Sequence, residues 1–233
     1  MVRRMEFEAK MSRTEERLKE KIVEISKRLY QRGLVAGAGG NVSVRIPNSS
    51  YILATPSGVC KGYLNPSDII KLDLNGKVIE GRLKPTSETP MHTEIYKVRE
   101  DVKAVVHAHP PFCTGFACAR IPLDSPILPE VIVMIGEVAM VDYATPGTKE
   151  LAMKVAEAAK NHDALLLANH GTITLGASLE QAYQRTEILE EYAKILLIST
   201  LLGGPKPLSS EEAKKIRELD AQKYRLDFIE HAE

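Results

Sequence analysis

The segment VKAVVHAHP, residues 102–110, places two histidines two residues apart at the end of an apolar run. Side chains alternate along a strand with a period of two, so His107 and His109 are expected to point to the same face. Proline lacks an N–H, so Pro110 is expected to end the strand. Neutral imidazole binds zinc and similar ions well, and the pair predicts a metal site at the carboxyl end of a strand. Such a pair is also common by chance without any metal.

A third histidine follows another apolar segment, LLLANHGT at residues 165–172. His170 is expected in the turn after a buried strand, where it could meet the first two histidines. Three protein ligands and one open position are typical of a catalytic metal. Of the other histidines, His92 is interpreted as structural, because it lies within a predicted helix. His162 and His231 are interpreted as solvent-exposed.

Three further segments could hold an anion. GAGGN at residues 37–41 combines glycines that let backbone N–H groups approach a ligand closely. TPSG at residues 55–58 offers two hydroxyls and a glycine N–H, and TSE at residues 86–88 precedes a predicted helix, whose N-terminus attracts anions. Glu88 would then be free to act as a base or a ligand. Ordinary turns and a helix-capping cluster also explain these segments.

The composition limits the possible partners. The chain has 233 residues, 44% of them hydrophobic, with 31 basic and 31 acidic residues and a formal net charge of zero. One large globular domain, or at most two small ones, fits this length. Because no basic block stands out, neither nucleic acid nor an anionic membrane surface is expected as a partner.

The cysteines and the N-terminus bear on the compartment. Three cysteines without paired spacing, Cys60, Cys113 and Cys118, indicate free thiols in a reducing compartment. Cys113 and Cys118 are interpreted as small buried side chains rather than metal ligands. No signal-peptide core and no apolar run near 18 residues is evident, so a cytoplasmic location is expected.

Hydrophobic periodicity and turn signals predict the order of elements. Helices are expected at residues 14–32, 94–99, 148–161, 179–202 and 210–219. Strands are expected at residues 42–46, 51–54, 69–73, 77–79, 102–109, 132–135, 138–141, 164–168 and 173–175, with a tight Asn75-Gly76 turn and a proline-rich stretch at 110–129. Short strands in the middle of the chain and helices at its ends favour an α/β fold with a central, mostly antiparallel sheet flanked by helices.

Taken in order, the segments GxGGNVSVR, TPSG, TSETPMH, VVHAHP, DYATPGTKEL and NHG resemble the class II aldolase/adducin family. Within that family the resemblance is to the aldolases of L-fuculose 1-phosphate. It covers about residues 15–205 of a single domain spanning 1–233, and leaves a C-terminal helical tail at 206–233. The resemblance implies a three-layer α/β/α fold, assembled as a C4 homotetramer with active sites at subunit interfaces.

The resemblance also implies an activity and a set of site residues. The activity is that of a class II, metal-dependent aldehyde-lyase, which cleaves a ketose 1-phosphate to dihydroxyacetone phosphate and an aldehyde through a metal-stabilised enediolate. The metal is Zn2+ or another divalent ion such as Co2+ or Mn2+, and Glu88 leaves it to act as the catalytic base. The implied metal ligands are Glu88, His107, His109 and His170. The implied contacts of the substrate phosphate are Gly40, Asn41, Ser57, Gly58, Thr86 and Ser87.

The chain departs from the family where the aldehyde would bind. The aldolases carry a tyrosine, contributed by the neighbouring subunit, that protonates the aldehyde oxygen. The matching segment here, residues 129–135, reads PEVIVMI and has Val133 at the corresponding position. A second family tyrosine near the C-terminus has only a loose counterpart in Tyr224. The resemblance therefore extends to the metal and phosphate half of the site, and the group that serves as acid stays open.

Several related functions compete with an aldolase. L-ribulose-5-phosphate 4-epimerases share the fold and metal, but usually carry aspartate where Glu88 stands and an Asp-Tyr-Phe-type segment that residues 131–136 lack. Dehydratases and decarboxylases of related sugar phosphates keep all three histidines and stay open. A non-catalytic module, as in adducin heads, is expected to lack the ligands that this chain has.

Overall fold

The computed structural model describes residues 2–218, with side chains described from residue 11 onward; His231 and Tyr224 lie outside this range. The helices are α1 (Val2–Gln31), α2 (Thr89–Val98), α3 (Pro111–Ala119), α4 (Pro129–Met134), α5 (Lys149–Ala159), α6 (Leu179–Leu201) and α7 (Ser210–Glu218). The strands are β1 (Asn41–Arg45), β2 (Tyr51–Ala54), β3 (Ile70–Asp73), β4 (Val78–Glu80), β5 (Ala104–Ala108), β6 (Val138–Val141), β7 (Ala164–Leu167) and β8 (Gly171–Gly176).

All of these strands form one sheet in the order β4-β3-β2-β1-β5-β8-β7-β6. Every neighbouring pair is antiparallel except β6 and β7, which run parallel at one edge. The predicted mostly antiparallel α/β fold is therefore confirmed. Long-range pairing of β1 with β5 and of β5 with β8 brings together segments that lie far apart in the chain.

Helices cover both faces of the sheet, so the fold has three layers. On one face, Tyr96 of α2 and Val155 of α5 pack in a cluster with Val105 of β5. On the other, Ile25 of α1 packs in a cluster with Val106 of β5. The alternation of side chains along β5 assigns consecutive valines to opposite layers. Burying both faces of the central strands supplies the apolar area that stabilises the fold.

Two elements differ in kind from the expectations, and α1 begins at Val2 rather than at residue 14. Residues 132–134 of the predicted strand 132–135 belong to α4 and Ile135 is its C-cap, while the proline-rich stretch at 110–129 contains α3. Both helices begin with a proline at their first position, Pro111 and Pro129, where the missing N–H removes no helical hydrogen bond. The short apolar run of α4 has no period of its own that distinguishes strand from helix, so the strand prediction was wrong.

Other expectations concern single residues. Thr148 caps α5 as predicted, because its side chain accepts a hydrogen bond from the Leu151 N–H. His162 is half-buried rather than exposed, since its Nδ1 hydrogen-bonds the Ala158 carbonyl. Among the cysteines, Cys113 is buried but Cys118 is exposed, so only the first is a core side chain.

None of the helices within residues 2–218 combines the length and the apolar character that crossing a membrane requires.

Candidate active site

The three histidines meet at one end of the central strands. His107 is the fourth residue of β5 and fully buried, and His109 follows directly after that strand. Because β8 runs antiparallel to β5, its first residue lies beside the end of β5, and His170 precedes it. The ring centroid of His107 lies 4.7 Å from that of His109 and 4.8 Å from that of His170. One nitrogen from each ring lies within 4.8 Å of the other two.

The backbone holds these rings close together. His109 donates its N–H to the Leu34 carbonyl at 3.0 Å, which fixes the chain as it leaves β5. Asn169 adopts the left-handed conformation, with φ of 56°, immediately before His170. A Cβ atom on Gly171 would lie 2.4 Å from the Ala108 carbonyl oxygen and 2.6 Å from the His109 ring. Only glycine therefore fits where β8 begins.

The donor set fits a divalent metal. The Nδ1–H of His107 donates to the Thr172 carbonyl at 2.8 Å, so in the neutral ring the lone pair of Nε2 is free. That Nε2 lies 3.0 Å from Nε2 of His109. Electron-pair donors this close repel each other unless a proton or a metal cation lies between them. A ligand histidine that donates its other nitrogen to a backbone carbonyl is typical of zinc sites.

Glu88 lies against this cluster from the start of α2. Its Oε1 is 2.9 Å from Nε2 of His170, and its Oε2 is 3.3 Å from Nε2 of His107. Burial raises the pKa of Glu88, but the hydrogen bonds and charges of the two imidazoles outweigh it and hold the pKa below its ordinary range. Burial, reinforced by the other two imidazoles, lowers the pKa of His109 to about 4. At neutral pH the site thus contains a carboxylate and a neutral His109.

A buried chain of hydrogen bonds ends on the same carboxylate. The Asn41 amide donates to Glu88 Oε2 at 2.9 Å, and its oxygen hydrogen-bonds Nε2 of His92. Nδ1 of His92 lies 2.7 Å from Ser43 Oγ, which lies 2.8 Å from the Tyr96 hydroxyl. A carboxylate only accepts, so the donors run in one direction, from Tyr96 through Ser43, His92 and Asn41 to Glu88.

His92 is therefore held on both nitrogens inside the protein, as expected of a structural histidine. Burial lowers its pKa to about 3, reinforced by the charge of His107, so the ring is neutral at physiological pH. Ser43 and Tyr96 were not among the predicted site residues. The i, i+4 spacing of His92 and Tyr96 on α2 was the available signal, since it places both on one helix face.

The three segments predicted to bind an anion, residues 37–41, 55–58 and 86–88, also lie close together. Gly40, with φ of 67°, packs so closely that a Cβ atom would lie 2.7 Å from the His107 carbonyl oxygen. A bridge between Pro56 and Pro85, and a hydrogen bond of 2.9 Å from the Ser57 N–H to the Lys84 carbonyl, join segment 55–58 to the segment before Glu88.

The side chains of these segments differ in their accessibility. Ser57, Gly58 and Ser87 are exposed, Thr86 is half-buried, and Asn41 is buried. Gly147 of the DYATPGT segment lies against Ser87, where an added Cβ atom would meet the serine Cβ at 3.1 Å. Exposed hydroxyls thus lie on segments that lead directly to the half-buried Glu88 carboxylate. Val133 is half-buried on α4, where it packs against the core cluster of α3, α4 and α6.

Comparison with known proteins identifies the family. The Class II Aldolase and Adducin N-terminal domain matches residues 20–197, well over half of the chain. The chain belongs to the class II aldolase and adducin family. A solved structure of an L-fuculose 1-phosphate aldolase shares the fold with a TM-score of 0.80 and 37% sequence identity, covering 86% of this chain and 94% of that one.

Relatives within the class II aldolase family differ in their reactions. An L-fuculose phosphate aldolase of Methanococcus maripaludis is 43% identical over 173 residues, which cover 74% of this chain and 92% of the relative. A 3-oxo-tetronate 4-phosphate decarboxylase of Escherichia coli (strain K12) is 37% identical over 213 residues, which cover 89% of this chain and 97% of the relative. Membership of the family therefore leaves the reaction to be argued from the site.

Proposed function

We propose that this protein is a metal-dependent aldolase. It cleaves a ketose 1-phosphate of the L-fuculose 1-phosphate kind to dihydroxyacetone phosphate and an aldehyde. The observation that carries the proposal is the contact of the Glu88 carboxylate with two of three converging imidazoles, at 2.9 Å and 3.3 Å. This arrangement combines a set of metal ligands with a group able to transfer a proton.

The residues that would hold the metal are His107, His109, His170 and Glu88. The convergence of their electron-pair donors supports this assignment, as does the hydrogen bond of His107 to the Thr172 carbonyl. A bound zinc, cobalt or manganese ion supplies a Lewis acid that stabilises negative charge on the ketone and hydroxyl oxygens of the substrate.

Glu88 moves the proton at the carbon beside the ketone. When the bond between C3 and C4 of the ketose breaks, its electron pair goes to C3, and the C4 hydroxyl gives its proton to water as the aldehyde forms. Glu88 takes up a proton from water and delivers it to C3, which completes dihydroxyacetone phosphate; in the condensation direction it removes that proton. The Asn41 amide, 2.9 Å from Oε2, orients the carboxylate for this transfer.

The phosphate of the substrate binds to neutral hydrogen-bond donors. We assign it to the backbone and side chains of Gly40, Asn41, Ser57, Gly58, Thr86 and Ser87. The packing of Gly40 against His107 and the bridge between Pro56 and Pro85 support this assignment, because they bring the three segments to the same end of the sheet as Glu88. Phosphate binding then orients the ketone toward the carboxylate.

A decarboxylase of a 3-oxo sugar-acid phosphate is the second candidate. Loss of CO2 from 3-oxo-tetronate 4-phosphate leaves the same enediolate of dihydroxyacetone phosphate, which Glu88 would protonate in the same way. Carbon dioxide leaves without giving up a hydroxyl proton, so this reaction needs no tyrosine where Val133 stands. The 89% coverage of this chain by such a decarboxylase also favours it.

The deciding experiment compares both substrates and follows every product. Purified protein of known metal content is incubated with L-fuculose 1-phosphate or with 3-oxo-tetronate 4-phosphate. An aldolase releases dihydroxyacetone phosphate and an equal amount of aldehyde from the first. A decarboxylase releases dihydroxyacetone phosphate and CO2 from the second, so dihydroxyacetone phosphate alone does not distinguish them.

Two other outcomes would overturn both candidates. Formation of C4 epimers from a 5-phosphate would identify an epimerase. A protein that binds no metal, and stays inactive on a panel of sugar 1- and 5-phosphates after addition of zinc, cobalt or manganese, would be a non-catalytic module.

A further inference from the structure

Lys61 is a buried lysine that the proposed chemistry does not use. It begins the short 3-10 helix Lys61–Tyr63, separated by two residues from segment 55–58, and only 1% of its surface is exposed. Within residues 11–218 it forms no ion pair with a carboxylate. Its Nζ donates instead to the carbonyl oxygens of Ala38 at 3.0 Å and of Val59 at 3.2 Å.

One of these carbonyls lies in segment 37–41, and the other directly follows segment 55–58. Ala38 lies in the GAGGN loop before β1, and Val59 follows Gly58 of the TPSG turn. The backbone N–H of Lys61 also donates to the Gly37 carbonyl at 3.2 Å. Three hydrogen bonds from this one buried residue therefore connect the two loops on their interior side. A buried group that contacts both loops acts on both of them at once.

The charge of Lys61 has an energetic consequence. Burying an ammonium group without a carboxylate partner is unfavourable, and two carbonyl oxygens compensate only in part. Burial lowers the pKa of Lys61 to about 8, while Cys60 and Glu88 act in the opposite direction. The side chain thus stays mostly protonated at pH 7. A positive charge is retained in a place where burial opposes it.

The proposed phosphate contacts provide a use for that charge. Gly40, Asn41, Ser57, Gly58, Thr86 and Ser87 are all neutral. A phosphate monoester carries nearly two negative charges at pH 7. Hydrogen bonds to ionised groups are stronger than neutral ones, and a nearby cation in a partly buried site is poorly screened by salt.

We propose that Lys61 supplies the positive charge of the phosphate site. Its buried ammonium group, which is hydrogen-bonded to both loops, attracts a bound phosphate monoester. The inference rests on the proposed function, in which these loops bind the substrate phosphate. Lys61 is a positioning residue that holds the loops through Ala38 and Val59 and attracts the anion through its field. It takes no part in proton transfer.

The test measures binding rather than turnover. Lys61→Gln keeps a hydrogen-bond donor for the carbonyls without the charge, and Lys61→Met keeps only the apolar stem. The matched control is Lys84→Gln, because Lys84 is an exposed lysine whose carbonyl accepts the Ser57 N–H. Each metal-loaded protein is titrated by calorimetry with dihydroxyacetone phosphate, with inorganic phosphate and with unphosphorylated dihydroxyacetone.

We expect Lys61→Gln and Lys61→Met to weaken the binding of both dihydroxyacetone phosphate and inorganic phosphate by about 10- to 100-fold. Binding of dihydroxyacetone should stay unchanged, and Lys84→Gln should change phosphate binding less than threefold. Where Lys61→Met lowers the melting temperature too far for titration, Lys61→Gln decides the test. Equal phosphate affinity of folded Lys61→Gln and wild type overturns the inference, as does a larger loss in Lys84→Gln. Wild-type protein that binds neither phosphate nor the monoester contradicts the proposed function itself.

Discussion

Glu88 is the residue on which the site depends, because it contacts two imidazoles and the Asn41 amide at once. Glutamine has nearly the same shape but carries no proton-accepting oxygen of comparable basicity. We predict that Glu88→Gln retains bound metal through the three histidines and loses proton exchange at the hydroxymethylene carbon of dihydroxyacetone phosphate by about 100-fold or more. Deuterium exchange followed by NMR measures this, and unchanged exchange would remove Glu88 as the base.

His109 tests the metal assignment at the same scale. Its Nε2 lies 3.0 Å from that of His107, and its removal leaves two imidazoles and a carboxylate. We predict that His109→Ala loses most of its divalent metal after dialysis, as measured by elemental analysis. His162→Ala is the matched control, because this half-buried histidine hydrogen-bonds the Ala158 carbonyl outside the triad. Full metal occupancy in His109→Ala would refute the ligand assignment.

At the scale of elements, β1 and α2 are coupled by the polar chain from Tyr96 to Glu88. Its central member, His92, has an ordinary pKa of 6.5 that burial lowers to about 3. Below about pH 6.5, His92 therefore binds a proton in the unfolded chain, whereas in the folded chain it binds one only near pH 3. Above pH 6.5 His92 is neutral in both states and does not affect the free energy of unfolding. As the pH falls from 6.5 toward 3, its protonation in the unfolded chain lowers that free energy.

The pH dependence of unfolding measures this coupling. We predict that His92 alone lowers the free energy of unfolding by about 2 kcal/mol between pH 7 and pH 5. Urea unfolding of metal-free protein at both pH values should show a larger loss in wild type than in His92→Gln, by about that amount. The glutamine variant starts from a lower stability at pH 7, because it interrupts the chain. An equal pH dependence in the two proteins would contradict a neutral buried His92.

Helix α3 follows directly after the histidine pair, and a neighbouring helix stabilises its start. The carboxylate of Glu190 on α6 accepts the Phe112 and Cys113 N–H groups, both at 2.9 Å. It thus satisfies two donors that a helix N-terminus leaves free. We predict that Glu190→Ala lowers the free energy of unfolding by about 1–2 kcal/mol, while Glu191→Ala, on the exposed side of α6, changes it by less than 0.5 kcal/mol. Denaturant titration of both variants checks the difference.

At the scale of the whole molecule, the sequence predicted most of what depends on local pattern. The alternation of His107 and His109, the Thr148 cap and the mostly antiparallel sheet follow from side-chain period and turn residues. The buried contacts of Asn41 with His92 and of Lys61 with Ala38 could not be predicted in the same way. They join segments that lie 23 to 51 positions apart, and strand register and loop packing bring them together.

The oligomeric state remains a prediction for the whole molecule. The family resemblance predicts a homotetramer with active sites between subunits. Light scattering is expected to give a mass four times the 25.8 kDa of the chain. Leu201 and Leu202 at the end of α6 are 78% and 82% exposed, and burial of such side chains against another copy would fit this assembly. A monomeric mass with full activity would contradict interfacial active sites.

Gly171 has a consequence for engineering the protein toward new substrates. A side chain at this position would push the start of β8 away from the end of β5 and displace the His109 ring, because it would come within 2.6 Å of both neighbours. The exposed Ser57 and Ser87 have no such constraint, whereas Gly58, with φ of 76°, adopts a backbone conformation that favours glycine. A mutant library aimed at new specificity should therefore vary Ser57 and Ser87 and keep Gly58 and Gly171 fixed, since variation at Gly171 would displace a metal-site histidine in every member regardless of its substrate.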